Sequence, residues 1–420
     1  MKRHVAVLVA LTIVMTGSLA FAGGRQEVSD VTTITWGYWG SPEEVAQNRR
    51  VAEMFEAANP DIRIEHMHAP WGDYFTQLQI QFAGGDAPDV MFLTNMTQYM
   101  PLGVLKDLRP LFAEHGFNTD AYSAEMIEQF SYQGGVFGVP RDNDTMVVYY
   151  NRDLFEAAGI DPPSSAGWTT EEFVNAAIAL TGTTGGGQQY GLAYDPRHWD
   201  RWGRKNGAQF FDDPRNPTRV TLDDPNLMVA LEFLYDLKNT HRVTPPFDAL
   251  SSTDQRIQLF ASGRLGMLVD NHARIPEFVS IDRFSWDVAP TPQFPGRGPA
   301  NNAGGAGYTI NAATANVEAA WRLWEFLNTD GMAGFIEAGR GTVVPANFDV
   351  LESDAFLTNQ PWNQQVFVEE TKVGISPPPN IYWFSMLGTA HPFLESAWVG
   401  DSSVQAAVER AMPEVNQLLD

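Results

Sequence analysis

The sequence predicts an α/β protein built from two domains. Near the start of the chain, segments of strand and helix character alternate in the order β-α-β-α-β, which is typical of a parallel sheet covered by helices. With 420 residues the chain is also too long for a single hydrophobic core. Finally, a polar run at 141–144 comes directly before a buried apolar strand segment. Buried polar groups are costly unless they face a cleft or a ligand, so this run predicts a passage between the domains.

The first 22 residues are predicted to be a secretory signal peptide. Lys2, Arg3 and His4 form a basic start, residues 5–14 are apolar, and the small-x-small triplet AFA at 20–22 is a typical cleavage site. A buried N-terminal helix is the alternative. Removing 22 of 420 residues leaves 398, which suits two domains. We therefore expect an exported, periplasmic protein.

The composition excludes several classes of function. The chain has 0 Cys, which rules out a lipid-modified cysteine, thiol catalysis and Cys-ligated metals. The net charge is −24, and it becomes −26 once Lys2 and Arg3 are removed. Because nucleic-acid binding needs a basic face, we expect no nucleic-acid partner. A hydrophobic content of 44% permits a stable core without disulfides.

The first elements follow from apolar periodicity and from stop signals. Pro42 opens a helix that Asn59-Pro60 ends, and Gly84-Gly85 ends the next one. The expected elements are, in order, strand 32–36, loop 37–41, helix 42–58, strand 62–65, helix 74–82 and strand 90–93.

The segment 134–160 is the one around which the rest of the chain is organised. After the polar run, the β-branched and aromatic residues Met146 to Tyr150 predict a buried strand. A helix over 154–158 follows and stops at Gly159.

The remainder of the chain continues the α/β pattern. Thr169 and Glu172 form a capping box at the start of a helix. The further expectations are an irregular segment over 190–217, helices at 224–238 and 253–262, a strand at 265–269, a loop over 290–307, a strand at 308–311, a helix at 317–327, a turn with a short strand at 339–345, and a mostly helical end broken at 377–379.

Several segments, in a fixed order, carry a resemblance to a known family. They are FEAANPDIRI (55–64), GGDAPDV (84–90), LGVLKDL (102–108), the segment 138–159, FASGRLGM (260–267) and GGAGYTIN (304–311). Together they resemble the extracellular solute-binding proteins of ABC importers, in the sugar-binding group that includes maltodextrin-binding protein. The resemblance covers nearly all of the chain after residue 22.

This resemblance implies a periplasmic-binding-protein-like fold with a ligand cleft between two α/β domains. The chain would cross between domains three times, near Asp144, near 304–307 and near 345–349. We therefore expect residues 26–143 with 306–345 to form the first domain, and residues 144–305 with 346–420 to form the second. Closure around a ligand is the expected motion.

Candidate ligand contacts follow strands, because ligands of open α/β folds bind at the carboxyl ends of strands. Aromatic faces suit the C–H faces of sugars, and carboxylate, amide or guanidinium groups suit their hydroxyls. Surface, core or turn-capping roles are the alternatives. The candidates in the first half of the chain are Tyr38, Trp39, Ser41, Asn95, Asp142, Asn143 and Asp144. The resemblance aligns Asp144 with a ligand-binding carboxylate.

Candidates in the second half lie in the aromatic segment, after the strand at 265–269 and near the later crossings. They are Trp199, Trp202, Asp270, Asn271, His272, Arg274, Gly304, Gly305, Arg340 and Trp383. Many relatives place a tryptophan within 271–274, and this chain has none there. His272 or Arg274 would then serve a more polar group. The two glycines would let the backbone approach a ligand closely.

The expected function is capture of a sugar by a monomeric protein and its delivery to the permease subunits of an ABC transporter and their ATPase. A binder of glycerol phosphate or another small polar solute is the alternative, favoured if Arg141, Arg197, Arg274 and Arg340 converge. A secreted glycoside hydrolase is the remote alternative, using two of Asp142, Asp144 and Asp270 as paired carboxylates.

We expect no catalytic residue, cofactor or metal. His66 and His68 share a strand face but have no third ligand nearby.

Overall fold

The structure is a computed structural model that describes residues 31–40, 42–184, 187–336, 341–358 and 361–420. The predicted signal peptide and the candidate site residues Ser41 and Arg340 lie outside the described residues.

Short strands and helices alternate along the described chain. The strands are β1 Thr32–Trp39, β2 Ile62–Ala69, β3 Val90–Leu93, β4 Ser131–Tyr132, β5 Gly135–Val136, β6 Val139–Pro140, β7 Met146–Asn151, β8 Gly182–Thr184, β9 Gly187–Ala193, β10 Leu265–Asn271, β11 Trp286–Ala289, β12 Asn301–Asn302, β13 Gly307–Ile310 and β14 Gly374–Ile375. The α-helices are α1 Pro42–Ala58, α2 Trp71–Gly84, α3 Arg109–His115, α4 Ala124–Glu128, α5 Arg152–Ala158, α6 Thr170–Ala179, α7 Trp199–Lys205, α8 Pro225–Tyr235, α9 Phe247–Ser251, α10 Thr253–Ala261, α11 Ile275–Phe278, α12 Val317–Asn328, α13 Met332–Ile336, α14 Phe348–Leu351, α15 Asp354–Leu357, α16 Gln365–Lys372, α17 Trp383–Trp398 and α18 Val404–Asn416.

The first domain contains a sheet in the order β2-β1-β3-β13-β6. β1 is parallel to β2 and β3, with Ile34 opposite Ile64, and β13 runs antiparallel to β3 and β6. Ile34 and Trp36 are fully buried, so the alternating apolar positions of β1 face the core. The predicted β-α-β-α-β opening is therefore present.

The second domain contains a sheet in the order β11-β7-β10-β9-β8. β7 runs antiparallel to β10 and β11, whereas β10 is parallel to β9. All six residues of β7 are buried, as expected for a central strand with a continuous apolar run. The predicted class, two sheet-containing α/β domains of the periplasmic-binding-protein type, is confirmed.

The chain leaves one sheet for the other between β6 and β7 and again between β11 and β13, and the short strand β12 on the second passage pairs with β14. These passages, and a third one near residue 345, are joined by backbone hydrogen bonds. The N–H of Asn143 donates to the Val344 carbonyl at 2.8 Å, and the N–H of Asp144 donates to the Gly304 carbonyl at 2.8 Å. A Cβ at Gly305 would lie 2.2 Å from the Asp142 carbonyl oxygen, so only glycine fits there. The domain boundaries at 143/144, 305/306 and 345/346 stay a prediction.

Two expected local structures are wrong. Residues 37–39 continue β1 instead of starting a loop, because they keep pairing with residues 67–69 of β2. The segment 190–217 is not irregular throughout, since it includes most of β9 and the whole of α7. Trp199 and Trp202, three residues apart on α7, are both buried, and the charges between them hid this periodicity. Among the described residues, no helix is long and apolar enough to cross a bilayer.

Candidate ligand-binding site

A cleft of about 540 Å3 opens between the two domains. On the first domain it is lined by α2, by the residues that follow β3 and by Gln129 and Phe130. On the second domain it is lined by Asp144 at the end of the polar run, residues 197–198, α7, residues 302–305 and the segment that leads into α17. The loop after β3 lies at the carboxyl end of its strand, where open α/β folds bind ligands.

Two aromatic rings form an apolar face on the first domain. Trp71 is 55% exposed and Phe75 lies one helical turn further along α2. Trp39 contacts both, with ring centroids 4.8 Å from Trp71 and 5.2 Å from Phe75. Trp39 also stacks on Phe92 at 4.3 Å. Trp39 therefore supports the cleft aromatics from behind and is not among the lining residues.

The second domain presents a matching aromatic pair at the first turn of α17. Phe384 is 46% exposed, whereas Trp383 is 2% exposed. Trp383 packs edge-on against Phe210 at 5.0 Å and lies under the Arg204 guanidinium at 5.8 Å. Phe384 is thus free to contact a ligand, while the position of Trp383 is fixed by its neighbours.

The remaining lining of the first domain is uncharged. Its polar residues are amides and hydroxyls, and none of the lining residues described on this domain is Asp, Glu, Lys, Arg or His. Asn95 adopts a left-handed backbone with φ of 55°, which asparagine tolerates better than most residues. Its Oδ1 accepts a hydrogen bond of 3.2 Å from Thr97 Oγ1. The polar lining residues are Gln79, Thr94, Asn95, Thr97, Gln98, Tyr99 and Gln129.

Among the residues that the structure describes, all charged groups that line the cleft belong to the second domain. Asp144 Oδ2 lies 2.5 Å from Nη2 of Arg201, and Asp144 Oδ1 accepts a 2.6 Å hydrogen bond from Asn271 Nδ2. Burial by itself would raise the pKa of Asp144, but the charge of Arg201 and these hydrogen bonds lower it below its usual value. Asp144 is therefore ionised at neutral pH.

The other cleft guanidinium groups are paired as well. Arg204 Nη2 donates to Asp200 Oδ2 at 2.9 Å and to Asn302 Oδ1 at 2.5 Å. Arg197 lies 2.5 Å from Asp195. Burial and the charge of Arg201 lower the pKa of His198 to about 4, so its ring is neutral at pH 7. Each guanidinium group described on this wall therefore has a carboxylate partner, and Asp195 is shared with the buried Arg256.

Five of the predicted site residues line the cleft, and others contact lining residues. Asn271 holds Asp144 from the end of β10. The predicted residues that line the cleft are Asn95, Asp144, Gly304, Gly305 and Trp383.

Four predicted aromatic or imidazole contacts lie in the core instead. Tyr38 is fully buried and its hydroxyl contacts His66 Nδ1 at 2.9 Å, because β1 extends past the expected end. Trp199 packs on Phe210 and Trp202 on Phe233. His272 is 2% exposed and its Nε2 lies 3.0 Å from Gln364 Nε2.

The remaining predicted residues that the structure describes are not in the cleft lining and have structural partners. Asp142 pairs with Arg141, whose guanidinium lies 4.1 Å from the Phe92 ring centroid. Asn143 is buried, and its Oδ1 accepts a 2.9 Å hydrogen bond from the Gly304 N–H. Asp270 is buried, and its Oδ1 lies 3.7 Å from Arg274 Nε.

Sequence reasoning missed several lining residues. Trp71 directly follows β2 and Pro70, so the strand-end rule that was applied to β1 would have found it. Arg201 needed α7 to be recognised as a helix, since Arg197 and Arg201 are four residues apart at the cleft. Gln129 carries no signal in the sequence.

Three comparisons with known proteins bear on this cleft. A solved structure of an ABC substrate-binding protein from Listeria monocytogenes in complex with cycloalternan has a TM-score of 0.79 and 25% identity, covering 92% of this chain and 99% of that one. An arabinooligosaccharide-binding protein of Halalkalibacterium halodurans is 24% identical over 221 residues, or 50% of this chain and 46% of that protein. An sn-glycerol-3-phosphate-binding periplasmic protein of Salmonella typhimurium is 30% identical over 171 residues, or 38% of this chain and 36% of that protein.

The order of segments in the sequence, the two sheet-containing domains and the cleft between them agree with a family assignment. The family model described as bacterial extracellular solute-binding protein matches residues 40–334, more than half of the chain. The chain belongs to the family of bacterial extracellular solute-binding proteins.

Proposed function

We propose that this protein captures an uncharged carbohydrate in its interdomain cleft and delivers it to the permease subunits of an ABC transporter. The main support is the cleft itself, where exposed aromatic faces on both walls flank amides and paired charges. Trp71 and Phe384 suit the C–H faces of a sugar ring, and the amides suit its hydroxyls. Relatives that bind cycloalternan and arabinooligosaccharide point to the same ligand class.

The charge balance of the cleft favours a neutral ligand. Each lining guanidinium group already has a carboxylate partner: Arg197 with Asp195, Arg201 with Asp144, and Arg204 with Asp200. A phosphate ester would have to compete with those carboxylates and would meet their negative charge. A sugar hydroxyl can instead use the lone pairs and N–H groups that the pairs leave free.

A glycerol phosphate binder is the second candidate. It is favoured by the Salmonella relative and by the three arginines at the cleft. Of the four arginines on which the sequence argument for an anion depended, the three that the structure describes do not converge, however. Arg141 pairs with Asp142 at the crossing, Arg274 pairs with Glu277, and of these three only Arg197 lines the cleft.

The protein is proposed to bind without catalysis. A glycoside hydrolase needs one carboxyl group with a raised pKa beside the scissile bond. Among the described residues that line the cleft, the carboxylates are Asp144 and Asp200, and each is held by an arginine. The pKa of Asp270 is raised by burial, but Asp270 is not in the lining. The family consists of binding proteins.

Transport by this protein is proposed to depend on domain closure in the periplasm, as a monomer. A ligand that contacts both walls stabilises the closed arrangement by its differential affinity for the closed and open states. The permease then receives the closed complex. A micromolar Kd, about −8 kcal/mol, is sufficient for such capture.

The test is a titration with a panel of neutral mono- and oligosaccharides and, in parallel, glycerol phosphate. Ligand binding is measured by isothermal titration calorimetry, tryptophan fluorescence and thermal unfolding. We expect at least one neutral saccharide to raise the Tm and change the emission of Trp71. If glycerol phosphate binds and no saccharide does, the second candidate function is favoured. If no ligand of the panel binds, the proposal of a carbohydrate ligand loses its support.

A further inference from the structure

A second group of contacts joins the two domains beside the crossings, along the rim of the cleft. It connects Glu128 and Gln129, at the end of α4 in the first domain, with Arg215 and Ser376 of the second domain. We propose that these four side chains form an interdomain latch that holds the domains together and controls how readily the cleft opens. The latch would regulate the same site to which the proposed function assigns the ligand.

Ser376 is the centre of the latch. Its hydroxyl accepts a 2.8 Å hydrogen bond from Gln129 Nε2 and donates a 3.1 Å hydrogen bond to the Glu125 carbonyl oxygen. A serine hydroxyl has one proton to donate. A residue of the second domain therefore uses its only donor, and an acceptor site as well, on the first domain.

The segment that carries Ser376 is fixed to the second domain. Ser376 directly follows β14, which pairs in parallel with β12, and the Arg204 guanidinium donates to the Ile375 carbonyl. Residues 377–379 are three prolines, whose fixed φ angles stiffen the path to α17. Movement of Ser376 away from Gln129 is therefore movement of the second domain as a whole.

An ion pair strengthens the same boundary. Arg215 contacts Glu128 across the gap between the domains. Arg215 belongs to a turn in which its N–H donates to Asp213 Oδ1 at 2.8 Å. That turn is tied to the second domain by Asn380, whose Nδ2 donates to the Pro214 carbonyl at 3.0 Å. The pair is partly exposed, so its contribution is modest but adds to that of Ser376.

The latch residue Gln129 and the prolines that follow Ser376 also line the cleft, which couples the latch to occupancy. Gln129 and the prolines at 377–379 are lining residues on opposite walls. A ligand in contact with them fixes the two sides of the latch relative to each other. Only this coupling step rests on the proposed function; the latch itself does not.

The test of the latch needs no ligand. The chain has no cysteine, so Ile80→Cys and Val229→Cys, at positions 68% and 54% exposed on α2 and α8, give one spin label on each domain. Pulsed electron paramagnetic resonance then measures the distance distribution in the unliganded protein. We expect Ser376→Ala and Glu128→Gln each to shift the distribution toward longer distances, and the double change Glu128→Gln with Arg215→Gln to shift it no further than Glu128→Gln alone.

Two control variants match these changes in charge and location. Glu125→Gln alters a side chain on the same helix, since only the backbone carbonyl of Glu125 contacts Ser376. Arg219→Gln breaks an ion pair with Asp223 that lies wholly within the second domain. Distributions that are the same for Ser376→Ala, Glu128→Gln and these controls, with unchanged circular dichroism, would overturn the latch.

A second measurement separates the latch from the proposed function. With a saccharide that the panel identifies, we expect Ser376→Ala to release it about three-fold faster, the effect of one weak surface contact. A longer distance in the latch variants, together with no binding of any saccharide, would support the latch and refute the proposed carbohydrate-binding function. Saccharide binding, together with unchanged distances and an unchanged release rate in the variants, would support the proposed function and refute the latch.

Discussion

Asp144 and Arg201 form an ion pair at the cleft, with Asp144 Oδ2 2.5 Å from Arg201 Nη2. The aspartate comes from the first crossing and the arginine from α7, so the pair fixes the position of the helix against the crossing. Because Asn271 occupies the other carboxylate oxygen at 2.6 Å, a ligand meets a carboxylate that is already oriented. Such pre-organisation reduces the entropy that binding costs.

Asp144→Ala should weaken saccharide binding on the order of ten- to one hundred-fold, because it removes a charged acceptor and leaves Arg201 without its partner. Titration calorimetry measures the loss, and thermal unfolding should show a small change, since Asp144 is partly exposed at the cleft. Asp223→Ala, at an exposed ion pair outside the lining, is the control. Binding at full strength by Asp144→Ala would place the ligand elsewhere.

Trp71→Ala should weaken binding about ten-fold through the loss of one stacking face. Stability should change little, because Trp71 is 55% exposed. Ile80→Ala serves as the control, since Ile80 is 68% exposed on the same helix and does not line the cleft. Equal affinities for the two variants would exclude Trp71 from the ligand contacts.

Acid should destabilise the protein partly through His272. Burial lowers the pKa of His272 to about 3, below the value of 6.5 expected in the unfolded chain. Between these values the unfolded state binds a proton that the folded state does not, so stability falls as the pH falls from 6.5 toward 3. At pH 5 the loss is roughly 2 kcal/mol for this one group.

His272→Gln removes that titration and should flatten the dependence of urea unfolding on pH between 6.5 and 4.5. The comparison at pH 8 measures the cost of the lost contacts alone, because His272 is neutral there in both states. An unchanged slope in the variant would show that His272 does not contribute to acid sensitivity.

Gly305→Ala should disrupt the crossings. The new Cβ would lie 2.2 Å from the Asp142 carbonyl oxygen, so the backbone must move, at a cost of about 2 kcal/mol or more. Thermal unfolding measures the effect. Gly388→Ala is the matched control, because a Cβ at this helical position in α17 meets nothing within 4 Å and alanine favours a helix. A Tm for Gly305→Ala equal to that of the control would contradict the tight contact.

The sequence predicted the fold class and most elements because their signals are local. Helix α1 begins at Pro42 and ends at Ala58 as expected, and the capping box of Thr169 and Glu172 is present. Asp144 was found because a polar run before a buried strand is costly unless it faces a cleft. These features depend on neighbours in the chain.

The rest of the site depends on packing between distant segments. Tyr38 was expected at a strand end, but pairing with β2 carries β1 three residues further and buries it. Trp199 and Trp202 turn inward on α7, and the same helix turns Arg201 and Arg204 toward the cleft, where Arg197 joins them from the turn before the helix. Which side of α7 faces the core and which faces the cleft is decided by how the helix packs in the folded protein, and the local sequence does not show it.

The uneven distribution of charge between the two walls has a consequence for how such a protein can diverge. On the amide wall, exchanges such as Gln79 or Gln98 to another neutral residue alter the hydroxyl pattern that is recognised and leave the charge balance intact. On the wall of ion pairs, a change at Arg201 or Arg204 leaves a carboxylate without its ion-pair partner, so a second, compensating substitution is needed. Single substitutions on the amide wall can therefore retune recognition, whereas a change at one of these ion pairs requires a second substitution.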